Sequence, residues 1–323
     1  MNAFNKANPE AKEVYRKMQQ WHLKNDNQNN IFCPTIELTG YSQRLLLEFG
    51  RSKNISQLSY ASYKYANELQ VFGTWRNTLG VYRIDDDVIG DVMKSLIPND
   101  TPVSIFERLP EWCVYYDLSN FGKSEDGIAL QGFWALFDLM YINNRYERIL
   151  KIMIDFGDAA ADVAAIIELP IDNNKTVEQS INDLYKSDEN IDPFIANAYA
   201  KADVAMLKVI LSALLWLCAE EPDISNILGE PVNKDQLRLP KYRVNKKTGV
   251  FIPPDKPIIY DIGKRLGGEI RTFNERITGG DSRISSRKRP HIRRGHWHGV
   301  WAGVGQNKEF KIYWQPAIFV NAG

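Results

Sequence analysis

The chain has 323 residues, of which 44% are hydrophobic and 11% aromatic, a composition that excludes an intrinsically disordered protein. Its 40 Lys and Arg residues equal its 40 Asp and Glu residues, so net charge alone neither indicates nor excludes a polyanionic partner. Cys33, Cys113 and Cys218 have no C-x-x-C spacing, which argues against a cysteine zinc site and is typical of reduced thiols in a cytoplasmic protein.

The N-terminal part of the chain carries two helical patterns. Asn8 and Pro9 form a favourable helix start, because Asn caps a helix and Pro suits its first position. Apolar residues at helical spacing predict a helix over residues 9–24 and another over residues 57–79. This part is also polar at its start and lacks the apolar core of a signal peptide.

The middle of the chain changes to strand patterns. Apolar runs over residues 112–118, 128–140, 148–156 and 162–171 are separated by polar turns, which predicts an antiparallel meander. Helical patterns resume over residues 177–185 and 193–218. The apolar stretch from Met206 to Cys218 covers 13 residues, too few to cross a bilayer, and predicts a buried core helix.

The C-terminal part is richer in basic residues, Pro and Gly. Residues 258–277 begin like a strand and end like a helix, and alternation around residues 304–309 predicts a final hairpin. We therefore predict an α+β fold with a helical N-terminal part, a central antiparallel sheet, a buried helix and a basic C-terminal β-hairpin. The predicted body covers residues 1–236 and the basic region residues 237–323, either as a second domain or continuous with the body.

Charge is segregated along the chain. Residues 155–192 contain ten acidic residues and two lysines, whereas residues 283–308 contain seven basic residues and no acidic one. One interpretation is that the two segments cover each other or are solvated faces. The other is that they are two surfaces for two partners, a basic peptide at the acidic segment and phosphates at the basic one.

The segment RPHIRRGHWHGVWAG, residues 289–303, holds three of the four histidines. In a structural interpretation, Trp297 and Trp301 pack inward, the histidines hydrogen-bond to backbone groups or to carboxylates of the acidic segment, and the arginines form ion pairs. In a second, the segment binds RNA phosphates and stacks bases on tryptophan. The residues predicted for that role are Arg287, Lys288, Arg289, Arg293, Arg294, Trp297 and Trp301.

Catalysis and metal binding are the remaining interpretations of the same segment. His291, His296 and His298 are the catalytic candidates, as acid and base of a metal-independent ribonuclease. Two histidines at i and i+2 can chelate a metal, but no third ligand is evident and the arginines oppose a cation. We therefore assign no metal, no cofactor and no catalytic residue.

Several segments, taken together, resemble one known family. They are MNAFNKA, WRNTLG, TPVSIF, LPEWCVY, LLWLC with EPDI, NKKTG, IYDIGKRLG, RPHIRRGHWHGVWAGVGQNKEF and WQPAIFVN. In this order they resemble the second family of type V-A anti-CRISPR proteins over nearly the whole chain. The PHIRRGHWHG element is also similar to an element in other proteins of mobile genetic elements.

The resemblance implies a function in the cytoplasm of a bacterial host. The family recognises the N-terminal segment of the type V-A CRISPR effector nuclease as it emerges from the ribosome, and lowers the effector's messenger RNA. The implied partners are that segment, the translating ribosome and the mRNA. Whether the protein cleaves RNA itself stays open, as does a general nucleic-acid-binding role for a mobile element.

An extended basic peptide needs apolar pockets with carboxylates, or a free strand edge. The central meander offers such side chains, whose alternative interpretation is a packed core. The residues predicted for peptide binding are Trp112, Tyr115, Asp117, Phe133, Trp134, Phe137 and Asp138. The basic tail would then face ribosomal or messenger RNA and contact its backbone.

Overall fold

The computed structural model describes residues 1–25, 31–48, 55–119, 130–142, 144–157, 166–186, 204–233, 237, 243–249, 251–278, 291–305 and 307–320. Within these residues the α-helices are α1 Asn2–Ala7, α2 Ala11–Asn25, α3 Thr35–Glu48, α4 Ile55–Trp75, α5 Asp86–Lys94, α6 Val177–Lys186, α7 Val204–Cys218 and α8 Lys264–Thr278. A 3-10 helix covers Val103–Arg108.

The strands of the main sheet are β1 Gly80–Ile84, β2 Cys113–Asp117, β3 Gly132–Ile142, β4 Arg145–Asp155, β5 Ile166–Pro170, β6 Ile224–Asn226 and β9 Ile258–Ile262. Shorter ribbons are formed by β7 Arg243–Val244 with β8 Phe251–Ile252, and by β10 His291–Arg293 with β13 Ile318–Val320. The C-terminal hairpin pairs β11 His296–Ala302 with β12 Glu309–Gln315.

The main sheet has the strand order β5-β4-β3-β2-β1-β9-β6. Its β2 to β5 part is the predicted antiparallel meander, and the α+β prediction is confirmed. The sequence did not predict that β1 runs parallel to both β2 and β9. Because β9 comes from the predicted C-terminal region, residues on both sides of the proposed 236/237 boundary build one sheet.

Helices cover both faces of this sheet. One face packs against α5, the 3-10 helix, α6 and α7, around buried side chains such as Phe133, Phe137 and Leu211. The other face packs against α2, α3 and α4, around Leu69 and Trp134. A strand buried on both faces needs apolar residues at consecutive positions, which explains the unbroken apolar run of β3.

Helix α7 is the predicted buried helix. Leu207, Leu211, Leu214 and Leu215 have no exposed surface, and Trp216 is 1% exposed. Its apolar residues surround the whole helix because it contacts α5, the 3-10 helix and the C-terminal hairpin at once. Across the described part of the chain, no helix combines the length and apolar character that a membrane crossing requires.

A buried carboxyl lies at the start of the sheet. Glu111 is 8% exposed and accepts a hydrogen bond from the Tyr82 hydroxyl at 2.9 Å. Burial raises its pKa to about 7, although hydrogen bonds from Thr78 and Tyr82 oppose the rise. Gly80 lies against this carboxyl, where a Cβ would collide with it. The folded protein therefore holds a proton on Glu111 that the unfolded chain releases at lower pH.

Replacing Glu111 with glutamine is expected to flatten the pH dependence of stability. Because the pKa of Glu111 is raised in the folded state, protonated Glu111 contributes its full stabilisation below the unfolded-state pKa of about 4.5. This stabilisation is lost as the pH rises to about 7. A difference of that size corresponds to about 3 kcal/mol. Denaturant unfolding from about pH 5 to about pH 8 measures the slope.

Glu221→Gln is the matched control for this change, because Glu221 is exposed. The Glu221→Gln protein should keep the wild-type dependence of stability on pH. If Glu111→Gln and the wild type lose the same stability across this pH range, Glu111 is not the group that titrates.

Candidate functional site

The aromatic residues predicted for peptide binding lie in the two packed layers. Phe133 and Phe137 are 0% and 2% exposed on one face of the sheet. Trp134, 6% exposed, lies on the opposite face, with its ring centroid 4.6 Å from that of Tyr115. Trp112 packs on the ring of Phe32. These residues do not converge on one open groove, and their role in peptide binding stays a prediction.

Asp138, also predicted for the peptide, is 2% exposed and forms an ion pair with Lys151. Lys151 has no exposed surface, donates to the Thr35 hydroxyl at 2.6 Å, and lies 3.4 Å from a Glu168 oxygen. Burial alone raises the pKa of Asp138, but the charge of Lys151 and hydrogen bonds from Lys151 and Thr35 outweigh it and lower the pKa. This network joins β3, β4 and β5 to the helical layer.

Asp117, the other predicted carboxylate, lies at an accessible place. It ends β2 at the edge where the parallel strands β1 and β9 also end, and it lines a small hollow with Arg83 and Asp86. Beside it is a hollow of about 190 Å³ lined by residues of β1, β9, α5 and α8. We call these two adjoining hollows the polar crevice. Loops after parallel strands meet at one edge, which is why residues far apart in sequence converge here.

Fixed ion pairs shape the polar crevice. Asp261, 6% exposed, accepts from Arg83 Nε at 2.9 Å and from Lys264 Nζ at 3.1 Å. Arg271 donates to both oxygens of Asp85, which caps α5, and this contact raises the pKa of the Arg271 guanidinium. Asp86 is exposed on the rim and forms no ion pair within the described part of the chain, unlike Asp85, Asp87 and Asp261.

Four residues of the polar crevice were not predicted from the sequence: Arg83, Asp261, Lys264 and Arg271. Arg83 and Asp261 are 178 positions apart, so no local pattern relates them. Among the described residues, no group of three or more His, Cys, Asp or Glu side chains is arranged to hold a metal ion.

The histidine segment forms the predicted hairpin. Its side chains alternate between the face that packs on the body and the opposite face. Trp297 is 4% exposed, and its indole donates to the Ser212 hydroxyl of α7 at 2.8 Å. Its ring centroid lies 5.8 Å from that of Trp216 and 4.9 Å from that of Trp314. Trp301 is 49% exposed, so the expectation that both tryptophans pack inward is correct for Trp297 only.

The polar residues of the segment divide into two groups. His296, His298, Arg293 and Arg294 are exposed. His291 pairs through its backbone with Val320, but its side chain lies outside the described part. Arg287, Lys288 and Arg289 also lie outside the described residues.

Arg108 holds the hairpin to the body. It donates to Glu220 at 2.6 Å, to Glu309 at 2.8 Å and to the carbonyl of Phe310 at 2.6 Å. Its side chain is 16% exposed, so its bonds to Glu220 and to the Phe310 carbonyl are partly shielded from solvent, whereas Glu309 is 66% exposed. In the described residues, no ion pair links Arg293, Arg294 or Lys308 to the acidic segment 155–192. The described parts of the two charged segments therefore do not neutralise each other.

Comparison with known proteins identifies the family. The profile of the AcrVA2-like family, anti-CRISPR type V subtype A2, matches residues 82–322. The chain belongs to this family. The AcrVA2-like match includes the whole main sheet from β2 onward, the polar crevice and the hairpin. It confirms the resemblance to type V-A anti-CRISPR proteins.

Two known proteins are similar to this chain. The crystal structure of AcrVA2 is 36% identical, covers 99% of this chain and 97% of that chain, and has a TM-score of 0.77. Protein FinQ of Escherichia coli is 26% identical over 277 residues, which cover 76% of this chain and 74% of FinQ. The fold is therefore shared with AcrVA2 from end to end.

Proposed function

We propose that this anti-CRISPR protein blocks biogenesis of the type V-A effector nuclease. It binds the N-terminal segment of the nascent effector polypeptide and causes loss of the effector mRNA. The observation that carries the proposal is the likeness to AcrVA2, at 36% identity over 99% of the chain. The implied partners are the nascent segment, the translating ribosome and the mRNA.

The polar crevice supports contact with a basic polypeptide segment. Asp86 is exposed and Asp117 half-buried, and both line the smaller hollow. A Lys or Arg side chain that reaches them gains charge-assisted hydrogen bonds without breaking the Arg83–Asp261 pair. The aromatic side chains of the sheet offer less, because most of their surface is already packed.

Binding of a synthetic peptide with the effector's N-terminal sequence tests this contact. We expect the full chain to bind it with micromolar affinity or better, and Asp86→Asn with Asp117→Asn to weaken binding about tenfold, or about 1.4 kcal/mol. Fluorescence anisotropy measures both affinities. Asp100→Asn with Asp255→Asn removes the same charge from exposed positions elsewhere and should leave binding unchanged.

A reporter experiment separates recognition of the peptide from recognition of the RNA. One reporter carries the effector's first codons in frame. The second reporter carries nearly the same nucleotides, but one inserted nucleotide shifts them out of frame, and the reading frame is restored after them. We expect the protein to lower only the in-frame mRNA; equal loss of both transcripts would overturn nascent-peptide recognition.

A further inference from the structure

The C-terminal hairpin has one face committed to packing and one face open. On the inner face, Trp297, Phe310 and Ile312 are 4%, 3% and 0% exposed. On the outer face, His296 and His298 are exposed. Since the inner residues already fix the hairpin to the body, the outer side chains are not needed for that attachment.

The register of the strands defines which groups share the outer face. His298 lies opposite Tyr313, His296 opposite Gln315, and Val300 opposite Lys311. Residues directly opposite in an antiparallel pair have Cβ atoms about 5 Å apart and point to the same side. The imidazole of His298 and the half-buried phenol of Tyr313 are therefore adjacent planar groups beside a lysine.

Positive charge surrounds this face. Arg293 and Arg294 are exposed just before β11, and Lys311 is half-buried on β12. Glu309 is the sole acidic residue of segment 291–320, and Arg108 binds it. At the start of the hairpin, Asp91 of the body accepts the Gly295 N–H at 2.9 Å. By the same register Glu309 lies on this face opposite Ala302, where Arg108 binds it, so Lys311 is the cation of the face itself and Arg293 and Arg294 add exposed positive charge just before it.

Cations next to exposed planar side chains are the combination that binds single-stranded nucleic acid, where phosphates meet cations and unstacked bases meet rings. A duplex keeps its bases stacked inside and would use the cations alone. Trp297 does not serve, because its ring is buried. On the outer face the available rings are those of His296, His298 and the half-buried Tyr313, whereas Trp301, 49% exposed, lies on the same side of β11 as Trp297.

We infer that the outer face of the hairpin is a single-stranded RNA-binding surface. Arg293, Arg294 and Lys311 contact phosphates, and the pair His298 and Tyr313 receives a base. This rests on the proposed function, which includes the mRNA as a partner, and assigns the residues that would contact it. It assigns Lys311 and Tyr313, which no sequence pattern singled out.

The salt dependence of RNA binding tests the phosphate contacts. The probe is a fluorescein-labelled single-stranded RNA of mixed sequence, titrated with the full chain between about 50 and 200 mM salt. Each phosphate contact on a single strand contributes a slope of about −0.7 to log K against log salt. Replacing Arg293, Arg294 and Lys311 with glutamine together is expected to flatten the slope by about 2, three such contributions.

Tyr313→Leu tests the ring platform separately. It keeps an apolar side chain and removes the phenol, so we expect an unchanged salt slope and about tenfold weaker binding. Lys246→Gln with Lys247→Gln removes two exposed cations from the turn before β8 and should change neither value. All these positions are at least partly exposed, so the variants should fold.

Two outcomes would overturn the inference. One is that the triple glutamine variant binds RNA with the wild-type affinity and slope. The other is that an RNA duplex of the same length competes as well as the single strand. Peptide binding by the same variants is measured in parallel. Loss of RNA binding with intact peptide binding concerns the hairpin surface alone, whereas absence of peptide binding in the wild type concerns the proposed function.

Discussion

Replacing Lys151 with methionine is expected to lower the free energy of unfolding by about 3–5 kcal/mol. Lys151 is fully buried, and the side chains of Asp138 and Glu168 beside it are 2% and 4% exposed. Without the ammonium, the Asp138 carboxylate stays in the interior without the charge it is paired with, and Glu168 loses a positively charged neighbour. The Thr35 and Gln70 side chains also lose a donor, since Lys151 bonds to both.

Denaturant unfolding at neutral pH measures this effect, with Lys175→Met as control. Lys175 is 41% exposed and forms ion pairs with Asp172 and Asp183, so its loss should cost no more than about 1 kcal/mol. A Lys151→Met protein as stable as the wild type would show that the buried carboxylates are neutral without the lysine.

Replacing Trp297 with alanine is expected to destabilise the attachment of the hairpin by about 3–5 kcal/mol. The indole fills the space between Trp216 and Trp314, and its N–H bonds to Ser212, which itself donates to the Val92 carbonyl. Removing the ring leaves a cavity between α7 and the hairpin. The Ser212 hydroxyl also loses the N–H group from which it accepts a hydrogen bond.

Trp301→Ala is the matched control, because Trp301 lies on the same strand but is 49% exposed. Urea unfolding gives the stability, and hydrogen exchange over β11 reports whether the hairpin opens locally. Exchange should rise strongly in Trp297→Ala and little in Trp301→Ala. Equal exchange in the two variants would mean that Trp297 does not anchor the hairpin.

Local patterns predicted the elements that local chemistry determines. The antiparallel meander, the buried helix α7 and the alternation of His296, Trp297 and His298 follow from residue periods and are confirmed. Helix α3, Thr35–Glu48, was missed. Its buried positions Thr35 and Ser42 are polar and bond inward, which weakens the apolar period.

Features that depend on pairing between distant segments were not predictable from one sequence. The parallel pairing of β1 with β9 brings Arg83 to Asp261, and no spacing rule connects them. In the sequence, Lys151 resembles a solvent-facing residue. Its burial becomes visible only in the structure, where three strands and a helix surround it. The run of Phe133, Trp134, Ala135, Leu136 and Phe137 does carry a signal, because five consecutive apolar residues indicate a strand covered on both faces rather than an open groove.

The place of β9 in the sheet has a consequence for synthesis of this protein. Until residues 258–262 leave the ribosome, β1 ends the sheet with unpaired backbone groups and β6 has no neighbouring strand. The sheet can be completed only after about four-fifths of the chain has been translated, because β9 lies at that point of the sequence. The sheet of this anti-CRISPR protein is therefore completed late in the protein's own translation.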